Sequence, residues 1–421
     1  MVPLPKNVPP MERTADFRCR SCHAGEGSTV LDLGLQPLAN SLVRPERESD
    51  VERCCPLVLS ICRSCRLLQL AEIVSPDDLF NEYVYFSSYS NCMLEHAAAY
   101  VEDCFRTQQL TPKSFVVEIA SNDGYLLQHF VARGIPCLGV EPAHNVAVVA
   151  RDKGIATVNA FFGVTTATDI ANRRLADLIV ANNVFAHAPD PNDFVGGIAK
   201  LLSPNGVATL EFPWAADMLR NIEFDTIYHE HVFYYAAMPL MPLLARHGLQ
   251  LTRVDVLPIH GGSLRAHITR RGVGLVDASV RAVLDAEERL GLGGDAPYEE
   301  FATSVGSLRS NLVSLLRTLK ASGSRIAAYG ASAKGSTLLN YCDIGKETID
   351  FIVDRSPHKQ GLLSPGKRLP ILSPAALVER RPDYSLLLTW NFADEILSQQ
   401  QAYRDAGGRF ICPVPVPRIM E

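Results

Sequence analysis

The chain has 421 residues, of which 47% are hydrophobic and 20% are charged. This length exceeds one typical domain and predicts two large domains with a smaller one attached. The formal net charge of -6 provides no basic surface for nucleic acid or an anionic membrane, so we expect small molecules as partners. No apolar run is long enough to cross a bilayer and no secretory signal pattern is present, which predicts a cytoplasmic protein.

Two CxxC pairs lie in an N-terminal region rich in cysteine, arginine and turn-forming residues. Four thiolates complete the tetrahedral shell of a structural Zn²⁺ and leave no position open for a substrate. Cys54 and Cys55 are competing ligands, and free or oxidised thiols are the alternative. We predict a zinc ribbon within residues 1–75. Its predicted ligands are Cys19, Cys22, Cys62 and Cys65.

From residue 112 onward, predicted strands and helices alternate. The strands are expected at 115–120, 137–140, 176–182 and 206–212. Two further apolar runs, at 249–256 and 263–269, predict a hairpin that adds an antiparallel pair to a parallel sheet. That arrangement is typical of a seven-stranded class I methyltransferase domain. We place this Rossmann-like α/β domain, with a helical lead-in, at residues 76–272.

A second α/β unit follows two long predicted helices, 276–292 and 298–320. It begins with a strand at 325–329 and a turn that opens a helix, and it predicts a second Rossmann-like domain within residues 273–421. The amides of the turn can receive a diphosphate. Solvated surface lysines are the alternative interpretation of its cations. The candidate side chains for this role are Ser332, Lys334 and Lys359.

The turn after the first strand of the central unit predicts a nucleoside site. Glu141 follows the next strand about 20 residues later, where a carboxylate accepts hydrogen bonds from ribose hydroxyls. Ala120 replaces the first glycine of a dinucleotide fingerprint, and the acidic loop suits an amino acid with a cationic sulfonium better than a pyrophosphate. A turn without a ligand is the alternative. The residues predicted to contact S-adenosylmethionine are Glu118, Ala120, Asn122, Gly124, Tyr125, Leu126, Glu141, Pro142, Asn182 and Asn183.

The string 223–231 concentrates imidazoles, a phenol and a carboxylate after a predicted strand, where open α/β sheets build their sites. An imidazole takes a proton from carbon only where a neighbouring carbonyl makes that carbon acidic. Phenol or imidazole donors then stabilise the enolate oxygen. A metal site or a structural surface cluster is the alternative. The residues concerned are Tyr228, His229, Glu230 and His231, with His187 after another strand.

Together these motifs resemble the deoxysugar C-methyltransferases that act at C-3 of dTDP-4-keto-6-deoxyhexoses in antibiotic sugar pathways. The resemblance covers essentially the whole chain and is most specific at residues 228–231 and 261–265. Two positions depart from the family pattern. Ala120 stands in place of glycine, and Ser332 stands where proline is expected.

The resemblance implies S-adenosylmethionine and a structural Zn²⁺ as cofactors, and a dTDP-linked keto-deoxysugar as the substrate of a monomer. It implies that His231 is the general base that removes the C-3 proton. Methylation of a sugar oxygen or nitrogen is the enzymatic alternative, and a zinc protein that binds nucleotide sugars without turnover is the other. The residues implied to surround the sugar and its cleft are Tyr228, Glu230, His187, Tyr83, Tyr85, Ser87 and His229.

Overall fold

The computed structural model describes residues 11–420 except 13, 15, 81–86 and 90. Within these residues the chain forms three β-sheets flanked by helices. None of the helices in this part of the chain is both long enough and apolar enough to span a bilayer. The strands are β1 Gly27–Pro37, β2 Cys54–Cys62, β3 Leu68–Leu70, β4 Val116–Ile119, β5 Cys137–Val140, β6 Thr157–Val158, β7 Ala176–Asn182, β8 Leu202–Pro213, β9 Phe233–Tyr234, β10 Leu249–Leu257, β11 Ser263–Arg270, β12 Ile326–Tyr329, β13 Ile352–Val353, β14 Ile371–Leu372, β15 Tyr384–Leu387, β16 Arg409–Cys412 and β17 Arg418–Ile419.

The helices occupy the faces of these sheets and the connections between them. The longest is the 26-residue α10, which with α9 agrees with the two long helices predicted from the sequence. The helices are α1 Pro76–Phe80, α2 Asn91–Gln108, α3 Leu127–Val131, α4 His144–Asp152, α5 Val164–Ala171, α6 Pro191–Leu201, α7 Ala215–Arg220, α8 Ala237–Arg246, α9 Ala278–Arg289, α10 Ala296–Ala321, α11 Ala333–Tyr341, α12 Ala375–Arg380, α13 Ala393–Gln399 and α14 Gln401–Asp405.

The N-terminal sheet has the order β1-β2-β3-β9 and is antiparallel throughout. Its inner face carries the fully buried side chains of Leu59 and Ile61. The strand β9 comes from far outside the predicted range 1–75 and directly follows the histidine-rich string. The sheet therefore ties the N-terminal unit to the segment that carries the candidate catalytic residues.

The four predicted zinc ligands converge at one end of this sheet, and their sulfur atoms all lie within 4.8 Å of one another. The Sγ atoms of Cys19 and Cys65 are 3.6 Å apart, and so are those of Cys22 and Cys62. A tetrahedral Zn²⁺ with thiolate ligands sets its sulfur atoms about 3.8 Å apart, so the cluster fits the ion. Cys54, a competing candidate, is exposed at the other end of β2.

The central sheet has the order β10-β11-β8-β7-β4-β5-β6. Strands β4 to β8 run parallel, and β11 is antiparallel to both of its neighbours. This confirms the predicted terminal hairpin and the class I methyltransferase arrangement. Both faces are covered by helices, and residues 178–181 of β7 are fully buried.

The C-terminal sheet has the order β14-β13-β12-β15-β16-β17 and is parallel except for β17. Helix α11 begins three residues before the predicted start because the Ser332 hydroxyl caps it by accepting a hydrogen bond from the Gly335 amide at 3.0 Å. The helix predicted over 393–405 is two helices. Gln400, with φ -101° and ψ 30°, leaves the helical conformation and separates them.

Glu223, the first residue of the histidine-rich string 223–231, is a buried acid. Its Oε1 accepts a hydrogen bond from Asn221 Nδ2 at 3.0 Å. Gly261, with φ +97°, packs so closely that a Cβ there would lie 2.6 Å from Glu223 Oε2. Burial raises the pKa of Glu223 to about 7. The folded state therefore binds this proton more tightly than the unfolded chain, and its stability falls as the pH rises from about 4 toward neutrality.

The zinc cluster leads to a metal-content prediction. Cys62→Ser removes one of four thiolates, so the purified variant is expected to lose its single equivalent of Zn²⁺ and to unfold at a lower temperature. Elemental analysis and thermal unfolding measure the two effects. Cys54→Ser, on the same strand, is the matched control and retains the metal. Full zinc content in Cys62→Ser would refute this ligand set.

Glu223 leads to a pH prediction. Glu223→Gln removes the cost of ionising a buried acid, so the variant is expected to unfold at a higher temperature than the parent at pH 8, with a smaller gain at pH 5. Thermal unfolding across this pH range measures the difference. Glu288→Gln, at an exposed position of α9, is the control. A gain that is equal at both pH values contradicts the assignment.

Candidate functional site

A cavity of about 900 Å³ opens at the carboxyl ends of β4, β5 and β7 and extends to the loops after β12 and β15. Open α/β sheets bind their ligands at this edge. All three units of the chain contribute to its wall. Of the predicted site residues, those in the wall are Ser87, Ala120, Asn122, Tyr125, Glu141, Pro142, Asn182, Asn183, His187, Tyr228, Glu230, His231, Ser332, Lys334 and Lys359.

The loop after β4 adopts left-handed backbone conformations at three positions. Ala120 has φ +53°, Asn122 has φ +49° and Gly124 has φ +80°. Glycine, the residue expected at position 120, would adopt this conformation without the strain that alanine has there. Asparagine tolerates the conformation at position 122. The left-handed backbone favours glycine at residue 124, and a Cβ there would also lie 2.1 Å from Ile155 Cδ1. Gly124 shapes the loop from outside the cavity wall.

Glu141 organises this loop and faces the cavity. Its carboxylate accepts hydrogen bonds from the Asn122 amide at 2.9 Å and the Ala143 amide at 2.8 Å. Burial raises its pKa, and these two amides oppose that shift. Each carboxylate oxygen has a further lone pair for a ligand hydroxyl. The predicted ribose acceptor therefore also fixes the backbone of the loop.

Several features of the wall fit S-adenosylmethionine. Asn182 Oδ1 and Asn183 Nδ2 are buried, and the described residues provide no hydrogen-bond partner for either atom. Such atoms call for polar groups of a ligand. Phe161 and Phe162 add aromatic faces suited to a nucleobase, and no motif in the sequence marks them. Asn182, Asn183 and Glu141, together with the loop after β4, would hold the cofactor.

Two other predicted cofactor residues lie behind the wall. Glu118 and Leu126 are buried beneath the loop and do not line the cavity. Burial, together with the nearby carboxyl groups of Glu141 and Asp123, raises the pKa of Glu118 well above its usual range. From these positions the two side chains support the loop and do not contact a cofactor in the cavity.

His231 and Tyr228 form a hydrogen-bonded pair in the wall. His231 Nδ1 lies 2.9 Å from the Thr226 carbonyl oxygen, which can only accept a hydrogen bond, so Nδ1 carries the proton. In the neutral ring the lone pair is then on Nε2, 2.7 Å from the Tyr228 hydroxyl. The backbone carbonyl, rather than the neighbouring Glu230 carboxylate, thus sets the tautomer of this imidazole.

Glu230 is held by a residue of the N-terminal unit. Its Oε1 accepts a hydrogen bond from Asn40 Nδ2 at 2.9 Å, and both residues line the cavity. Its Oε2 is buried and has no hydrogen-bond partner among the described residues. Burial raises the pKa of Glu230. Asn40 lies 190 residues away along the chain, and no motif in the sequence singled it out.

His187 and His229, the other two predicted site histidines, have different surroundings from His231. The His187 ring packs edge to face on the His231 ring, with centroids 4.8 Å apart. Burial lowers the pKa of His187 to about 4, so this imidazole is neutral at physiological pH. His229, predicted to contact substrate, is instead buried against β2, with Nε2 3.3 Å from the Cys55 carbonyl oxygen, and does not line the cavity.

The C-terminal part of the wall is built from the loops after β12, β13 and β15. Lys359 Nζ donates to the Ala331 carbonyl at 2.8 Å, and Asp354 accepts from the Ala331 amide at 2.8 Å. The Lys334 ammonium lies 4.8 Å from the centroid of the Trp390 ring. No sequence motif marked Asp354 as a site residue. Its position nevertheless corresponds to that of Glu141: each acid follows the second strand of its α/β unit, β13 or β5, and a glycine-containing turn follows the first strand.

The aromatic segment before α2 is only partly described. Tyr83 and Tyr85, predicted to close the cleft, lie outside the described residues. Ser87 lines the cavity, and its amide donates to Asn122 Oδ1 at 2.9 Å, which attaches this segment to the cofactor loop.

Comparison with known proteins agrees with this architecture. Family profiles match a zinc binding domain at residues 19–80, a methyltransferase domain at 93–254 and a C-methyltransferase C-terminal domain at 258–415. C-methyltransferase NovU of Streptomyces niveus is 37% identical over 407 residues, which cover 96% of each chain. A ubiquinone biosynthesis O-methyltransferase of Rhodopseudomonas palustris (strain HaA2) is 31% identical over 105 residues, 24% of this chain and 41% of that one.

Solved methyltransferase structures match about half of the chain. Magnesium protoporphyrin IX methyltransferase from Synechocystis PCC 6803, with bound SAM, covers 45% of this chain and 85% of its own at 12% identity, with a TM-score of 0.34. The family assignment rests instead on the near full-length match to NovU and on the consecutive domain profiles. The chain belongs to this C-methyltransferase family and is an S-adenosylmethionine-dependent methyltransferase with an N-terminal zinc-binding domain.

Proposed function

We propose that the enzyme methylates C-3 of a nucleotide-linked 4-keto-6-deoxysugar, after His231 has removed the proton from that carbon. The observation that carries the proposal is the hydrogen bond from His231 Nδ1 to the Thr226 carbonyl. It leaves the basic lone pair on Nε2, in the cavity wall beside Tyr228. A neutral imidazole in this tautomer is the form that a general base requires.

The residues around the base suit the charge that develops on the ketone oxygen. Tyr228 can donate its single hydroxyl hydrogen to this oxygen once the oxygen replaces His231 Nε2 as its acceptor, and the neutral imidazole of His187 lines the same wall. The Glu230 carboxyl, with its free Oε2 in the wall, is placed to accept a hydrogen bond from a polar substituent of the sugar. Bound S-adenosylmethionine supplies an electrophilic methyl group to the carbon nucleophile.

The far end of the cavity suits the nucleotide diphosphate, with dTDP as the proposed carrier. Lys334 and Lys359 line it next to the turn that opens α11. Free amides at a helix start and lysine ammonium groups are both favourable partners for phosphate oxygens. We further propose that the enzyme acts as a monomer.

The proposed base leads to an exchange prediction. His231→Asn removes the basic nitrogen, so exchange of the sugar C-3 hydrogen with deuterated water, measured by NMR without methyl donor, is expected to fall roughly 10²- to 10⁴-fold. The nucleotide sugar should still bind. His247→Asn, at the end of α8 and outside the cavity wall, is the matched control and keeps the parental rate.

The same spectra separate the alternatives. Both C-3 and C-5 flank a 4-ketone and are acidified by it, so exchange confined to C-5 would exclude the proposed position. Absence of exchange in the parent enzyme, accompanied by O- or N-methyl product, would refute the carbon-acid mechanism. Undiminished exchange in His231→Asn would refute the base.

The proposed cofactor site leads to a binding prediction. Glu141→Ala removes both the candidate ribose acceptor and the anchor of the Asn122 amide, so the dissociation constant for S-adenosylmethionine is expected to rise at least about tenfold. Calorimetry measures it. Asp152→Asn, exposed at the end of α4, is the control with unchanged affinity. Parental affinity in Glu141→Ala would place the cofactor elsewhere.

A further inference from the structure

The orientation of His231 depends on a short backbone segment. The Thr226 carbonyl that accepts the Nδ1 proton lies at the end of a single 3₁₀ turn, Phe224–Thr226. This turn lies between α7 and β9 and belongs to neither. A movement of this turn by a fraction of an ångström would weaken the hydrogen bond that selects the tautomer. Whatever fixes Thr226 therefore fixes the base.

The C-terminal unit holds this segment on both sides of Thr226. Before it, Asp225 Oδ2 accepts a hydrogen bond from the Trp390 indole Nε1 at 2.7 Å. After it, the Ile227 carbonyl accepts one from the Thr337 hydroxyl at 3.1 Å. Asp225 and Thr226 are buried, with exposed fractions of 0% and 3%. The two donors come from the turn after β15 and from α11, the helix opened by the candidate phosphate loop.

The bond from Trp390 is the stronger of the two anchors. A buried carboxylate that loses a donor is costly, because no water replaces the lost hydrogen bond. Burial raises the pKa of Asp225, and the Lys334 ammonium and the Trp390 indole oppose that shift. The same Trp390 ring has Lys334 over its face. One side chain thus contacts both the anchor of the base and a cation of the cavity wall.

We infer that Trp390 is a positioning residue for the catalytic imidazole: its indole N–H fixes Asp225, and with it the Thr226 carbonyl that keeps the proton of His231 on Nδ1. Thr337 provides the second anchor. This inference rests on the proposed role of His231 as base and goes beyond it. The C-terminal unit then does more than hold the nucleotide, since it also sets the tautomer of the base in the central unit.

The test uses the substitution Trp390→Phe, which removes the N–H donor and keeps an aromatic face for Lys334. Exchange of the hydrogen next to the ketone with deuterated water is expected to fall at least about tenfold, while the dissociation constant for S-adenosylmethionine changes less than about twofold. Thr337→Val, which removes only a hydroxyl donor, is expected to act in the same direction with a smaller effect.

The chain contains a matched control in its other tryptophan. The Trp214 indole N–H also donates to a buried carboxylate, Glu287 Oε1, at 2.8 Å, and Trp214 does not line the cavity. Trp214→Phe therefore removes a bond of the same kind elsewhere. We expect it to lower the unfolding temperature and leave exchange per folded molecule unchanged. Equal losses of exchange in the two variants would mean that exchange follows stability, and would overturn the inference.

A second measurement needs no substrate and so separates this inference from the proposed function. Nitrogen NMR of the His231 ring in the full-length, zinc-loaded enzyme reports which nitrogen carries the proton. We expect the Nδ1-protonated form in the parent and a mixture of tautomers in Trp390→Phe. An Nε2-protonated ring in the parent, or an unchanged ring in the variant, would overturn the inference. If the His231 ring has the expected tautomers in the parent and in Trp390→Phe, but the parent does not exchange the C-3 hydrogen of the sugar, the proposed function is refuted instead.

Discussion

The proposed active site depends on one hydrogen bond, from His231 Nδ1 to the carbonyl oxygen of Thr226. An imidazole that abstracts a proton from carbon must present an unprotonated nitrogen to the substrate, and this carbonyl decides which nitrogen that is. Tyr228 then lies against the remaining lone pair, and the ring of His187 packs on that of His231. Each neighbouring group has a chemical role in the proposed reaction only because the ring is held in this tautomer.

The three units of the chain converge on this point. The N-terminal unit contributes Asn40, which holds Glu230, and β9 extends its sheet just after His231. The central unit contributes the candidate cofactor loop and residues 226–231 of the histidine-rich string. The C-terminal unit contributes Trp390 and Thr337, which anchor the turn around Thr226. The zinc-stabilised sheet and the C-terminal Rossmann-like unit therefore both contact residues 224–231. This segment has little regular structure of its own.

The sequence predicted features encoded by local patterns, and it missed features made by contacts between units. The alternation of strands, the terminal hairpin, the four cysteines and the loop before Glu141 all follow from short-range spacing and periodicity. Asn40 and Trp390 reach their partners across 190 and 165 residues, and neither belongs to a recognisable motif. His229 and His231 look equivalent in the sequence, and only the local path of the backbone turns one toward β2 and the other into the cavity.

The central claim is that the enzyme forms a carbon–carbon bond next to a ketone. It is tested most directly by turnover of a 4-keto-6-deoxy nucleotide sugar, uniformly labelled with ¹³C in the sugar, with S-adenosylmethionine labelled at the methyl carbon. The account predicts a product whose methyl signal shows one-bond coupling to C-3 of the ring. A methyl signal without carbon–carbon coupling, as in an O- or N-methyl product, would contradict it.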